Sequence, residues 1–208
     1  MIAIVDYEMG NVRSVQKAFD RLGHAAEVTP DPERIRRAEG VVLPGVGAFG
    51  DCMANLVKGE LRDPVIEVIQ GGKPFLGICV GLQLLFSWSE EFGRREGLGV
   101  VPGRVLRFDP KTPSGESLKV PHIGWNEVRW RQRVGIFEDL PEPCYLYFVH
   151  SYYVVPDDPA WIAGTSEYGA PFTAAIARDN VWGVQFHPEK SQTLGLSILA
   201  RFGKLCEG

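Results

Sequence analysis

The sequence predicts an α/β fold: one domain over residues 1–208, with a mostly parallel central sheet flanked by helices and an additional β-rich segment. Three observations predict it. Over residues 1–91 short apolar runs alternate with helical patterns, which implies parallel strands joined by right-handed crossovers. Two of those runs, 41–43 (Val-Val-Leu) and 75–78 (Phe-Leu-Gly-Ile), have the composition of strands buried on both faces. From 100 to 186 the chain changes to short β-rich runs divided by Pro and Gly.

Taken in order, residues 2–5 read as a first strand ending at Asp6, followed by a loop to Gly10 with Asn11 as helix cap. Val12, Val15, Phe19 and Leu22 recur at helical spacing, and Gly23 ends that helix. A short strand over 25–28 and a basic helix over 30–38 lead to the strand 41–43, which Pro44 stops. Helices are expected over 51–57 and 62–70, before Gly71-Gly72 and the strand 75–78. A helical pattern with Leu82, Leu84, Leu85 and Phe86 follows Cys79. In the β-rich part the strands are 105–108, 127–130, 145–149, 161–165, 172–177 and 181–186, with Asp179-Asn180 as a hairpin turn. Residues 110–115 form a polar surface loop, and a helix over about 192–205 closes the chain.

Composition suits one such domain. The 208 residues suffice for one substantial core and are short for two. Apolar content of 45% and charge of 23% are those of a soluble globular protein. The net charge of −4 offers no general attraction to nucleic acid or anionic membrane. Arg129-Trp130-Arg131 interleaves basic and aromatic residues, but alternation there reads as a half-buried strand. No apolar run approaches the ~18–20 residues of a membrane span, and the amino terminus reads as a strand rather than a signal peptide. Cys52, Cys79, Cys144 and Cys206 are spread without metal-ligand spacing, so no metal site and a reduced, cytoplasmic setting are expected.

Three fragments carry chemistry. Cys79 sits between Gly77 and Gly81 where a buried strand meets a helical pattern. A nucleophile on such a turn is lifted to the carboxyl edge of the sheet, and the helix N-terminus behind it favours a thiolate. A buried core cysteine is the plain alternative. Pro44-Gly45-Val46-Gly47 is a glycine-rich loop at the end of another strand, where ligands of open α/β sheets bind. It fits a flexible turn, a phosphate loop lacking the usual phosphate motifs, or a pair of oxyanion donors. His187-Pro188-Glu189 reads either as a surface turn or as a base and its orienting carboxylate.

Together, Pro-Gly-Val-Gly, Gly-Ile-Cys-Val-Gly-Leu-Gln and Phe-His-Pro-Glu-Lys resemble, in order and spacing, the class I (triad-type) glutamine amidotransferases. The likeness covers essentially the whole chain and implies a flavodoxin-like sheet. Asp6-Tyr7, Gly10-Asn11, Arg13-Ser14, Pro121 to Asn126, His150-Ser151-Tyr152 and His187 to Ser191 resemble the branch serving imidazole glycerol phosphate synthesis in histidine biosynthesis. The resemblance implies that Cys79 attacks the carboxamide of L-glutamine, that His187 is general base and then acid, and that Glu189 orients it. It implies oxyanion donors at the Val46 and Val80 N–H groups and substrate contacts at Gly47, Gln83, Ser151 and Tyr152. Gln83, four residues after Cys79, also shares its helix face. His122 and His24 receive no catalytic role.

The family docks its glutaminase on a cyclase subunit with a (β/α)8 barrel, forming a heterodimer, and passes ammonia to it. Asn11, Trp125 and Lys190 match positions at that interface, and no cofactor is implied. Glycines on both sides make the Val46 peptide easy to rotate, so the oxyanion site is expected to be incomplete without the cyclase. The competing expectations are a glutaminase for another synthase, such as the pyridoxal phosphate branch, an inactive regulatory module, and a peptidase with a similar elbow.

Overall fold

The computed structural model describes residues 1–207; Gly208, the last residue of the domain expected over 1–208, lies outside the described residues. The amino-terminal part runs β1 (Ile2–Val5), α1 (Val12–Arg21), β2 (Ala26–Thr29), α2 (Pro32–Arg37), β3 (Gly40–Gly45), α3 (Phe49–Lys58), α4 (Arg62–Gln70), β4 (Phe75–Cys79) and α5 (Val80–Leu84). Strands β5 (Phe86–Ser89), β6 (Arg95–Glu96), β7 (Val101–Arg107), β8 (His122–Trp130), β9 (Cys144–His150), β10 (Tyr152–Pro156), β11 (Ile162–Tyr168), β12 (Ala170–Arg178) and β13 (Val181–Val184) follow, and α6 (Gln192–Leu205) ends the fold.

The main sheet has the order β2-β1-β3-β4-β13-β12-β10-β7-β5-β6. Its first five strands are parallel, and β3, β4 and β13 are buried along their whole length. That is why their sequences are apolar without alternation. Beyond β13 the sheet continues antiparallel through β12, β10 and β7. From β12 a second antiparallel arm runs through β11 and β8 to β9. The expected α/β sheet with an added β-rich segment is therefore present, with helices against the parallel part. Helix α1 buries Val15, Ala18 and Phe19, and Phe19 meets Phe202 of α6 at 6.2 Å between ring centroids. None of the described helices is long and apolar enough to cross a membrane.

Four local expectations are corrected. Asn11 precedes α1 but its side chain makes no capping bond. At φ −87° and ψ 53° its backbone lacks the extended conformation that swings a cap over the first amides. The cap that does form is on α2, where Asp31 accepts from the Glu33 N–H at 2.9 Å. That helix starts at Pro32 rather than residue 30. Pro44 does not stop β3: pairing with β4 continues to Gly45 opposite Cys79. Pairing with β1 has already ended at Val42, so the missing Pro44 N–H interrupts no ladder there. Finally, Phe86 is not helical. Helix α5 lasts five residues before the chain turns into β5, so its dipole is that of little more than one turn.

Candidate active site

Chain order places the sheet's switch of direction between β1 and β3, and crevices outside the carboxyl ends of such strands are where α/β proteins hold ligands. At the ends of β3, β4 and β13 lies a cavity of about 240 Å³. Val46, Gly47, Cys79, Val80, Gln83, Ser151, Tyr152, His187 and Lys190 all line it. They come from positions 46 to 190: the parallel pairing β3-β4-β13 brings most of them together, and the antiparallel pairing of β10 with β12 and β7 adds Ser151 and Tyr152.

Cys79 ends β4 at φ 55° and ψ −111° and is 4% exposed. A non-glycine residue at that φ costs roughly 1–3 kcal/mol and survives only where its surroundings impose it. Here the surroundings are α5 pressed on β3. A Cβ on Gly81 would fall 1.8 Å from the Leu43 carbonyl oxygen, which leaves glycine as the one residue that fits. The same squeeze brings the glycine loop to the elbow: a Cβ on Gly45 would lie 2.7 Å from the Tyr7 hydroxyl and 2.8 Å from the Gly81 nitrogen. Val80 is the first residue of α5, so its N–H is among those a helix leaves without an internal partner. Val46 is 39% exposed at the cavity mouth. The Val46 carbonyl accepts the Cys52 thiol at 3.5 Å, and Gly47 follows at φ 98°.

His187 is 2% exposed and begins a short 3₁₀ turn over Pro188–Lys190. Its Nδ1 lies 2.9 Å from Glu189 Oε1, with both side chains almost fully buried. Backbone and side-chain bonds tie this turn to β9: the His187 N–H donates to the Tyr147 carbonyl at 2.9 Å, and Ser191 Oγ donates to the His187 carbonyl at 2.7 Å. The Nε2 atom is buried without a completed hydrogen bond among the described residues. Burial by itself disfavours a charged imidazole, but Cys79 and Glu189 outweigh it and push the ring up to about 10. A ring that stays protonated at pH 7 is the counter-charge a cysteine thiolate needs.

Gln83 is 3% exposed, and its Nε2 is spent on the Tyr152 carbonyl and on Gln185 Oε1, both at 3.1 Å. Only its oxygen remains for a ligand. The Ser151 carbonyl already accepts the Phe108 N–H at 3.0 Å. Asn11 and Trp125 do not line the cavity. Trp125 is 48% exposed, on the same face of the β8–β9 hairpin as Ile123 and Tyr145, which are 60% and 50% exposed. Lys190 is exposed at the cavity rim.

Two residues escaped the sequence reading. Among the described residues Glu91 is the one carboxylate lining the cavity; its Oε2 accepts the Phe49 N–H at 2.6 Å. Burial raises the Glu91 carboxyl above the ordinary range, against the pull of that N–H. Nothing in Glu90-Glu91 distinguishes it from a surface pair. Gln185 is fully buried, and its amide donates to Cys79 Sγ at 3.7 Å. A polar residue inside the apolar run 181–186 was its signal, because buried polar groups are there to bond something.

Comparison with known proteins finds similar sequences and a similar fold. The sequence profile of the family Glutamine amidotransferase class-I matches residues 3–205. The chain is 53% identical over 206 residues to the imidazole glycerol phosphate synthase subunit HisH of Syntrophotalea carbinolica, covering 99% of this chain and 100% of the relative. It is 55% identical over 202 residues to the protein of the same name in Geobacter metallireducens, covering 97% and 96%. Among solved structures, PurLQS of Thermotoga maritima superposes with a TM-score of 0.73 at 19% identity, over 99% of this chain and 96% of the other, a likeness of fold alone.

Proposed function

The chain belongs to the class-I glutamine amidotransferases, and on that premise we propose the chemistry and the partner of its site. It acts as the glutaminase subunit of an imidazole glycerol phosphate synthase, the enzyme of which its relatives are named as a subunit. The observation that carries the reading is one cavity lined by both Cys79, on its strained elbow, and the buried His187 paired with Glu189.

Cys79 attacks the carboxamide carbon of L-glutamine as a thiolate, and the carbonyl π electrons move onto oxygen. The Val80 N–H, and the Val46 N–H when its peptide faces the cavity, stabilise that oxyanion. His187, protonated, gives its proton to the nitrogen as the C–N bond breaks, releasing ammonia and leaving a thioester. Neutral His187 then takes a proton from water, whose oxygen adds to the thioester. The tetrahedral adduct expels the thiolate, the product leaves as the γ-carboxylic acid and loses its proton to solvent as glutamate, and the ion pair of thiolate and imidazolium is restored. Glu189 holds the ring through Nδ1 in both halves.

The same cavity suits the rest of the substrate. Glu91 is the carboxylate available to the α-ammonium group of glutamine. Gly47, the Gln83 carbonyl, Ser151 and Tyr152 supply polar contacts along it. The subunit names of the relatives imply a partner, and the partner proposed is a (β/α)8-barrel cyclase that consumes the ammonia. The exposed apolar face of Ile123, Trp125 and Tyr145, with Lys190 at the cavity rim, is the surface offered to it, Asn11 lying at the same carboxyl edge.

The test is Cys79→Ala in the complex reconstituted with the cyclase. Glutamine-dependent synthesis is expected to vanish, while synthesis with added ammonium salt persists. A mutant still fed by glutamine removes Cys79 as nucleophile. Loss of both activities points instead to an inactive cyclase, and co-elution of the mutant with the cyclase separates a lost nucleophile from a failed complex.

A further inference from the structure

A series of buried polar side chains runs from β8 to the nucleophile, and the triad does not account for it. His122, His150, Gln83 and Gln185 are 6% exposed or less, among Phe108, Phe148 and Phe172. Polar groups persist in such a place when each is bonded, and here the direction of every bond is determined.

The Tyr152 carbonyl can only accept. It takes His150 Nδ1 at 2.8 Å and Gln83 Nε2 at 3.1 Å. His150 therefore carries its proton on Nδ1, and its Nε2 accepts from His122 Nδ1 at 3.1 Å. His122 is then also protonated on Nδ1, leaving Nε2 to accept from Asn126 Nδ2 at 3.3 Å. The other Asn126 N–H goes to the Glu167 carbonyl at 2.8 Å, and Asn126 Oδ1 takes the Glu127 N–H at 2.8 Å. On the far side, Gln83 gives its second proton to Gln185 Oε1 at 3.1 Å. Gln185 Nε2 then donates to Cys79 Sγ at 3.7 Å. Turning any one ring or amide around sets donor against donor or acceptor against acceptor. Burial pushes His150 down to about 3 and His122 down to about 4, so both rings are neutral at pH 7, as their donation toward the Tyr152 carbonyl requires; from that shared acceptor the Gln83 and Gln185 amides donate the other way, toward Cys79.

We propose that Asn126, His122, His150, Gln83 and Gln185 form a positioning chain for the nucleophile, in which Gln185 is the terminal donor that fixes the Cys79 sulfur beside His187. A backbone as strained as that of Cys79 leaves its side chain to be held by what surrounds it, and among the described residues the Gln185 amide is the donor bonded to the sulfur. Because Asn126 follows Trp125 in β8, the chain also ties the place of the sulfur to the hairpin that presents the docking face. The proposal rests on Cys79 being the nucleophile, as argued above.

Gln185→Met keeps the length of the side chain and removes the donor. In the complex with the cyclase, kcat for glutamine hydrolysis is expected to fall about ten- to a hundredfold, the effect of one hydrogen bond to a charged group, with KM unchanged. Alkylation of Cys79 by iodoacetamide slows by a smaller factor, since a less stabilised thiolate is intrinsically more nucleophilic. A folded Gln185→Met with full kcat and full alkylation rate overturns the proposal. Should that variant fail to fold, nitrogen NMR of the imidazoles in the unaltered chain decides: neutral Nδ1–H forms at both His122 and His150 support the chain, and an Nε2–H form at His150 overturns it. Cys79→Ala separates the two levels. If it still hydrolyses glutamine, the nucleophile assignment fails and this proposal with it; if it is inactive while Gln185→Met is not impaired, the positioning chain alone fails.

Discussion

The four cysteines show how environment divides residues of one type. All are buried and free. Burial, above all, pushes the Cys52 and Cys144 thiols up to about 11 and that of Cys206 up to about 12, so these three stay protonated at neutral pH and react slowly. Cys79 faces a ring kept cationic. Brief iodoacetamide treatment at pH 7.5 is expected to label Cys79 ahead of the others, with glutamine protecting it, as read by peptide mapping. Labelling that starts at Cys52 or proceeds evenly would count against the ion pair. At this scale the sequence revealed residue types that could do chemistry. It left Cys79 a choice between core and nucleophile, because a thiol's role depends on the charge opposite it. Glu91 and Gln185 stayed hidden for the same reason, each being defined by a neighbour distant in the chain.

Among elements, those with regular patterns were the readable ones. Residues 62–70 and about 192–205 were expected as helices, and α4 and α6 occupy them, because apolar spacing and flanking glycine or turn signals coincide there. The elbow was readable as strand, nucleophile and helix, but the length of α5 was not. Four leucines and phenylalanines continue a helical pattern to Phe86, yet β7 claims Phe86 as a strand partner opposite Val101. Tertiary pairing overrides local propensity there. The elbow's dependence on close backbone approach is testable at Gly81. Its added Cβ meets the backbone of β3, which cannot swing aside as a side chain would. Gly81→Ala is expected to destabilise by about 3 kcal/mol, at the upper end of ordinary overpacking, which lowers Tm by roughly 6–12 °C for a domain of this size. A Tm unchanged by calorimetry would mean that α5 can move off the sheet.

For the whole molecule, protonation links the site to stability. His150 and His122 are held down to about 3 and about 4 by burial. The unfolded chain binds their protons first, so stability is full above about 6.5, the free imidazole value, and is lost as pH falls through about 4 for His122 and about 3 for His150. His187 has the opposite sign. Raised to about 10, it stabilises fully below about 6.5 and loses that contribution as pH rises through 10. Urea midpoints are therefore expected to decline on both sides of pH 6.5. The acid slope between pH 6.5 and 5, above the range of ordinary carboxylates, should flatten in His122→Asn. An unaltered slope would show that the histidine pair does not control it.

Assembly belongs to the same scale. Hydrogen bonds hold the carbonyls on either side of the Gly45–Val46 peptide, from the Tyr7 hydroxyl to Pro44 and from the Cys52 thiol to Val46. The peptide between them is the one proposed to turn when the cyclase binds. One missing oxyanion donor costs about 10²–10³ in rate, so glutaminase turnover should rise by a factor of that order on adding cyclase. Trp125→Ala should demand more cyclase for the same rise. Equal turnover with and without the partner would refute the rotating peptide.

By itself the sequence determined the alternation of strands and helices, the parallel core, the added β-rich segment and the residue types of the proposed triad, because these follow from periodicity, glycine placement and short local motifs. Only the tertiary structure decided that positions 46, 79, 91 and 187 share one pocket, with Gln185 buried against Cys79. Pairing of β3 with β4 brings position 46 to Cys79, and insertion of the last strand beside β4 brings positions 185 and 187. That insertion is a long-range pairing, and the burial, charge and hydrogen-bond direction that distinguish an active cysteine from an inert one come into being only when it forms.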